Sequence, residues 1–392
     1  MNCDKEFEIT EEDQNFYTKM QVPLPTFCWL CRAQRRLSWR NEKRLYKRKC
    51  NFSGKEIFSM YPNKESIKVY ENSVWYSDKW DPMEYGKDYD FSIPFLEQFK
   101  ELSQVVPRPA LSVLKMTNSE YCNNATGLKN CYLLFNSNYN EDCLYGNGID
   151  YCKNIIDSSH INKSELLYES FWMSRCNNAF FSSRCEDSFN IYFSKSLRNC
   201  NDCFGCVGLR NKSYYIFNKS YSKEEYLIKL KEFNFSSHNS LKEIKKRVEE
   251  YWLQFPNKFM EGARNDNVTG DYIYNSKNVK NSYLVREGEN LHYCQYLQIK
   301  PNKDCYDHSI WGDGNSLTYE CITCGLGTNN IKFCAESWTS IRDLYYSYYC
   351  QSSSNLFGCI SLRNKQYCIL NKQYTKEEYE ELVPKIKKHM GG

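Results

Sequence analysis

The sequence is poor in the groups that most catalytic sites and membrane segments need. Five histidines stand scattered through the chain, too few for a histidine-based metal site, and each reads as a surface or satisfied polar residue. There is no Gly-rich phosphate loop and no Ser-His-Asp arrangement, so neither phosphoryl transfer nor triad hydrolysis has a sequence basis. No run of about 18 apolar residues occurs, which excludes a helical membrane span. The opening MNCDKEFEIT has no basic-then-apolar leader, and the expectation is a cytoplasmic protein with reduced thiols. Net charge is also small, +4, so the chain as a whole is not a polyanion binder.

What the sequence does have is cysteine, tyrosine and one dense patch of positive charge. The 21 cysteines are odd in number, in a chain too long to need disulfide staples, and suit zinc or packing. Between Cys28 and Cys50 there are nine Lys/Arg against one acid, Glu42. That local excess of eight leaves −4 for the rest of the chain. Such asymmetry marks a polyanion-binding surface on a mildly acidic body. The patch follows Cys28-Trp-Leu-Cys31, and a CxxC at a turn leading into a helix is a common zinc knuckle. The expected structural zinc site is Cys3, Cys28, Cys31 and Cys50; the alternative is two buried thiols and two incidental ones. The run lacks Gly and Pro up to Gly54 and reads as a basic helix. Arg32, Arg35, Arg36, Arg40, Lys43, Arg44, Lys47, Arg48 and Lys49, with Trp39 and Tyr46 between them, are its nucleic-acid-binding candidates. The alternative is a basic face that meets acidic patches elsewhere on the chain.

An internal duplication dominates the remainder. FGCVGLRNKSYYIFNKSYSKEEY (204–226) recurs as FGCISLRNKQYCILNKQYTKEEY (357–379), an offset of 153. Upstream, KNCYL (129–133) answers KNSYL (280–284), and LLYES (166–170) answers LTYEC (317–321). Each copy is itself repetitive. One or two polar turn-formers, often Asn or Asp, precede a short Tyr-, Phe-, Cys- and Ile-rich run, and the unit recurs about once per dozen positions. Short strands between tight corners are implied. The expected fold is mainly β, a duplicated β-solenoid like a parallel β-helix, with two units of about 12 making a coil of about 24. An antiparallel sandwich or barrel is the alternative. In the solenoid reading Cys131, Cys143, Cys203 and Cys305 hold one inward-facing place, and the CxxC pairs 203–206 and 321–324 are core rather than metal sites.

The expected organisation is a zinc-ribbon-like unit (1–52), an aromatic connecting segment (53–114), a first solenoid (115–221), capping helices (222–264), a second solenoid (265–374) and a C-terminal capping helix (375–392). KEFEI (5–9) reads as a strand, and Thr10 starts a short helix. Ser222 and Thr375 are N-caps of further helices. Leu241, Ile244, Val248 and Trp252 line one helix face. The cluster of Trp75, Trp80, Asp78 and Asp81 packs a domain joint or binds sugar.

The run from FEIT through CWLCRAQRRLSWRNEKRLYKRKC, then SDKWDPMEYG, VPRPAL, the NCYL units and SLRNKQYCILNKQYTKEEYEELVPKI, resembles an uncharacterised family abundant in small-genome candidate-phyla bacteria. The family joins a zinc-ribbon-like start to cysteine- and tyrosine-rich repeats. The resemblance spans nearly the whole chain and implies a shared architecture, with no catalytic residue to transfer. Members often begin with a full CxxC where this chain has Cys3 alone, and often continue into a second ribbon-like segment where it stops at KHMGG.

Three functions follow as expectations. The first is a non-enzymatic zinc protein associated with RNA or the ribosome through the basic helix. The second is a scaffold that binds protein on the solenoid faces or assembles with itself. The third, least favoured, is a carbohydrate-active β-helix enzyme using acids such as Asp142, Asp304 and Asp307. Enzymatic activity is left open, with the balance against it.

Overall fold

A computed structural model of the protein describes residues 3–64 and 66–391. Met1, Asn2, Glu65 and Gly392, which belong to the expected N-terminal, connecting and C-terminal segments, lie outside the described residues. The fold is mainly β, and its two large sheets are parallel ladders. Each is a β-solenoid.

The building unit is a triplet. From Cys122 to Cys206 every third residue is buried. From Asn124 to Phe217 every third residue has a positive φ, between +44° and +69°. Each triplet therefore supplies an inward side chain, an outward side chain and a left-handed corner. Four triplets make one coil. Ser159 pairs with Phe171, Glu165 with Asn177 and Phe189 with Asn201, a register step of 12 each time. The repeat seen in the sequence is thus one whole coil, and the expected coil of about 24, twice that step, is corrected. So short a coil is narrow, and its interior admits one layer of small and medium side chains.

The inward residues reflect that limit. Isoleucine and leucine alternate with Ser, Cys, Ala and Gly. Gly146 is one of them: a Cβ there would stand 2.2 Å from Ile149 and 2.9 Å from Leu134. The small polar residues also satisfy backbone that turns too sharply to pair with its neighbours. The Ser182 hydroxyl accepts the Ser194 N–H (3.1 Å) and donates to the Phe180 carbonyl (2.9 Å); Ser194 does the same for Cys206 and Tyr192. Cysteines fill equivalent places. Cys131, Cys143 and Cys203 share one inward ladder, and Cys305 lies on the corresponding ladder of the second solenoid, after Val279 and Leu291. None of the cysteines is in a disulfide. Burial raises the thiols of Cys176 and Cys152 to about 11 and about 12, which keeps them unreactive.

Left-handed backbone costs an ordinary residue about 1–2 kcal/mol, and Asn and Asp tolerate it best. One corner of the first solenoid is accordingly an Asn and Asp ladder in most coils, broken at Leu166 and Tyr214. Asn178 donates to Asn190 (2.8 Å) and Asn190 to Asp202 (2.8 Å); Asn130 donates to Asp142 (3.1 Å).

The second solenoid has the same plan with less even coils. Register steps are 13 at Lys303 to Ser316 to Asn329 to Arg342, and 12 at Arg342 to Ser354 to Gln366. The extra residue is absorbed where two adjacent residues take positive φ, as at Ile310–Trp311 and Thr339–Ser340. Its last strands, Ser354–Phe357 and Gln366–Ile369, repeat Asn201–Phe204 and Ser213–Ile216 at the offset of the sequence duplication.

Helices and the connecting segment cover the flanks. Helix α1 (Glu11–Met20) begins with a capping box between Thr10 and Asp13, and α2 is Trp29–Leu37. Strands β1 (Tyr46–Lys49) and β2 (Glu56–Ser59) form an antiparallel hairpin. Helix α3 is Phe95–Val105. Ser222 caps α4 (Lys223–Leu230), Ser237 caps α5 (His238–Trp252) and Thr375 caps α6 (Lys376–His389). Ile244 and Val248 pack on Phe193, Phe204 and Ile216 of the first solenoid, with Leu241 and Trp252 beside them. The Trp75 and Trp80 cluster is a joint: Trp75 is fully buried, its indole donates to the Pro107 carbonyl (3.1 Å), and its ring meets Tyr349. Asp81 caps a 3-10 turn there. Residues 5–9, expected as a strand, form none, because no neighbouring chain pairs with them.

The two solenoids lie side by side and run in opposite directions. Asn136 meets Arg40, which also reaches Glu336. Gly148 and His160 meet Tyr296, and Trp172 and Arg184 meet Tyr272.

The corner ladder gives a direct test. Asn190→Val should cost about 1–2 kcal/mol more in urea unfolding than Asn190→Gly, because both lose the amide bonds but only valine carries the strain of left-handed backbone. Equal losses would contradict the corner assignment.

Candidate metal centre and nucleic-acid interface

Cys28 is the N-cap of α2, and Cys31 sits one turn later on the same face. The chain before α1 brings Cys3 to them. The three sulfurs all lie within 4.8 Å of one another, with Cys3 Sγ 3.5 Å from Cys28 Sγ. Thiolates of a tetrahedral zinc site, with a Zn–S distance of about 2.3 Å, stand about 3.8 Å apart, so the spacing fits a metal ion. The Cys31 N–H, Cys3 and the start of the helix favour the Cys28 thiolate and hold it below its ordinary value. Cys31, beside Cys3 and Cys28, is raised. Cys3 is exposed, so the cluster opens to solvent on its side.

Cys50 is not part of this group. The chain leaves α2, turns through 38–45 and returns as the hairpin, which carries Cys50 to a separate buried turn. There its sulfur accepts the N–H groups of Ser53 (3.4 Å) and Glu71 (3.3 Å). Burial pushes this thiol up, and those N–H groups outweigh burial and lower it. The four-cysteine set is corrected to three. Among the described residues no other group of three or more His, Cys, Asp or Glu side chains gathers at metal-binding distance, the CxxC pairs at 203–206 and 321–324 included.

The basic run does not form one helix. It ends as α2 at Leu37, and Tyr46–Lys49 is strand. The reason is tertiary: α2 lies across the second solenoid strands Asn302–Ser309 and Ser316–Ile322, and its arginines are engaged there. Arg32 contacts Asp307 through Nη2 (2.9 Å) and Nε (3.0 Å), and its Nη1 donates to the Phe27 carbonyl (2.6 Å). Arg36 meets the other Asp307 oxygen (2.9 Å) and donates to Ser309 (3.2 Å). Arg35 meets Glu320 (2.8 Å). Arg40 meets Glu336 (2.8 Å), Thr323 (2.6 Å) and Asn136 (2.6 Å). The Arg32, Arg36 and Asp307 side chains are 2%, 3% and 0% exposed, which removes them from any surface. Burial raises Glu336, against the pull of Arg40, and burial with the Asp307 charge raises Glu320. Arg48 is also buried, donating to the Pro62 (3.0 Å) and Ile67 (2.8 Å) carbonyls. Arg32, Arg36, Arg40 and Arg48 are therefore structural residues; for Arg32, Arg36 and Arg40 the basic face that meets acidic patches is what the structure contains, whereas Arg48 is held by carbonyls and Asn51.

Lys43, Arg44, Lys47 and Lys49 remain exposed, on and before β1. Trp39 is half exposed and sets its edge against Tyr348; Tyr46 is half buried. Sequence reasoning missed the rings beside these bases. Lys47 Nζ lies 5.9 Å from the Phe58 ring. Phe58 meets Tyr121 (4.6 Å), Tyr121 meets Tyr132 (5.1 Å) and Tyr132 meets Tyr145 (5.7 Å). Tyr121 and Tyr132 are 38% exposed and Tyr145 49%. The recurrence of exposed tyrosines at nearly one coil spacing is the signal that could have found them.

No protein-family model matches the chain, and no curated protein matches it. One solved structure, a provisionally assigned acetyltransferase from Desulfovibrio desulfuricans G20, aligns with 61% of this chain and 53% of its own at 11% identity; its TM-score of 0.10 carries no argument.

Two outcomes are expected. Asp307→Asn strands two buried guanidinium groups and should lower stability by about 3–5 kcal/mol in urea unfolding, whereas Lys43→Ala should stay within about 0.5 kcal/mol. Cobalt(II) added to the apoprotein should give thiolate-to-cobalt charge-transfer absorption that Cys28→Ser and Cys31→Ser abolish and Cys50→Ser leaves intact. Its loss in Cys50→Ser would return Cys50 to the site.

Proposed function

We infer that this is a non-enzymatic, zinc-pinned protein that binds single-stranded RNA, ribosomal RNA included, through the β1–β2 hairpin and the adjoining tyrosine ladder. One observation carries the reading: Lys47, one of four exposed bases on and before β1, lies beside Phe58, the first of a continuous series of four rings, Phe58, Tyr121, Tyr132 and Tyr145. Cations that track a phosphate backbone beside aromatic faces that stack on bases are the recurring means of gripping single strands. The grip is placed on Lys43, Arg44, Lys47 and Lys49 rather than on the α2 arginines. Zinc suits three thiolates at this spacing, and its role is to hold Cys3 to α2 and so fix the N-terminal segment on the second solenoid. The non-enzymatic part is supported by the fate of the acids considered for glycoside chemistry. Asp142 accepts from Asn130, Asp304 from Lys19 (2.9 Å) and Asn290, and Asp307 from two arginines.

A second reading, a protein-binding scaffold, draws on exposed apolar side chains in and after the central helices: Ile228, Leu253 and Phe259 are 65%, 80% and 104% exposed.

Fluorescence anisotropy with a labelled single-stranded RNA separates the two. The triple variant Lys43→Glu, Lys47→Glu, Lys49→Glu should weaken binding at least about tenfold and flatten its salt dependence. Tyr132→Ala should weaken it by a factor within the range of about 1–3 kcal/mol typical of one stacked base. RNA affinity unchanged in both variants overturns the RNA reading.

A further inference from the structure

A second surface of the first solenoid has the chemistry of a ligand site, and it shares no residue with the hairpin face. A groove of about 800 Å³ runs along the side of the coils. One wall is the corner ladder Tyr139, Tyr151, Lys163, Arg175; the other carries Lys129, Glu141, Lys153 and Glu165. The two tyrosine rings are nearly parallel, 17° apart with centroids at 5.1 Å, and they are 49% and 56% exposed. Tyr139 rests on Gly127, where a Cβ would stand 2.7 Å from its ring, so the bottom of the stack is closed.

The top of the stack is open. Tyr151 meets Tyr139 on one face, and among the described residues no other ring meets it. Its second face is turned toward the next coil, where the corner is Lys163. That lysine is exposed and has no ion-pair partner among the described residues, whereas Lys129 and Lys153 share Glu141 and Arg175 is held by Glu186 and Asp187. The lining carries four bases and two acids; Arg175 is offset by Glu186 and Asp187, and Lys129 and Lys153 share Glu141, which leaves Lys163 as the base open to an anion. A free aromatic face one coil, about 4.8 Å, from an uncommitted cation fits a flat ring that bears a phosphate. The groove is also of the size usual for small-molecule sites.

We propose that this groove binds a nucleotide, with the base stacked on the open face of Tyr151 and the phosphate on Lys163. The site is independent of the hairpin reading, and either can stand without the other. Isothermal titration of the full-length protein with adenosine 5′-monophosphate tests it, with the neutral sugar maltohexaose as the comparison ligand. Saturable binding of the nucleotide is expected, weakened at least about tenfold by Tyr151→Ala and by Lys163→Glu, and unchanged in the Lys43/Lys47/Lys49 triple variant. Both groove side chains are exposed, so melting curves of these variants should match the parent and confirm that the losses are local. No nucleotide binding, binding that survives Tyr151→Ala, or binding of maltohexaose in place of the nucleotide would overturn the proposal. Loss of RNA binding in the triple variant with nucleotide binding retained would support both sites separately.

Discussion

About every third residue of the solenoids turns a left-handed corner, and about every third side chain must fit inside a coil whose register step is 12 or 13 in most places and never outside 11 to 14 among the described parallel pairs. The rest of the molecule depends on this constraint. Because the interior is so narrow, it takes serine, cysteine, alanine and glycine beside leucine and isoleucine. Because the corners turn so often, hydroxyls must complete the backbone hydrogen bonds from within, as Ser182 and Ser194 do. Large aromatic side chains find no room inside. They are displaced outward, where they become the cover beneath the helices, the seam between the two solenoids, or the free faces at Tyr121, Tyr132, Tyr145 and Tyr151.

The same constraint decides where charge can go. A strand face of stacked coils repeats each outward position at one coil spacing, so Asp307 and Glu320 stand one above the other and form an acidic strip. Arg32, Arg35 and Arg36 on α2 have helical spacing and lay their guanidinium groups along that strip. The pairing accounts for the concentration of positive charge in one segment of a chain whose remainder is acidic. The charge of Arg32, Arg35, Arg36 and Arg40 is neutralised across the interface, while Lys43, Arg44, Lys47 and Lys49 stay exposed. The thiolate cluster sits at the N-terminus of the same helix, so a metal there and the ion pairs along its length fix α2 at both ends.

Much of the architecture was legible in the sequence, for identifiable reasons. Repetition once per coil survives because stacked coils place like on like. The long-range offset survives because the last coils of both solenoids, with their capping helices, were copied together. The coil length was misread because Asn, Asp and Gly mark the corners irregularly: many corners carry Tyr, Phe, Trp, Leu, Lys or Arg, as at Tyr139, Tyr151, Lys163 and Trp172, which give no turn signal, and inward serines hide the period of three from a hydrophobicity reading. At the site, Cys3, Cys28 and Cys31 could be named because two of them share a helical turn. Cys50 was misassigned because the hairpin that removes it is held by tertiary contacts. The fate of the arginines was hidden for a plainer reason: Arg32 and its partner Asp307 lie far apart in the chain, on different structural units.

The central claim is that Arg32, Arg36 and Arg40 are internal to the fold. Arginine-selective labelling of the native protein with phenylglyoxal, read by mass spectrometry, tests it residue by residue. Arg44 should react at the rate of a free guanidinium, while Arg32, Arg36 and Arg40 stay protected until the protein unfolds. Rapid modification of Arg32 and Arg36 in the folded protein would contradict the account and return α2 to the surface.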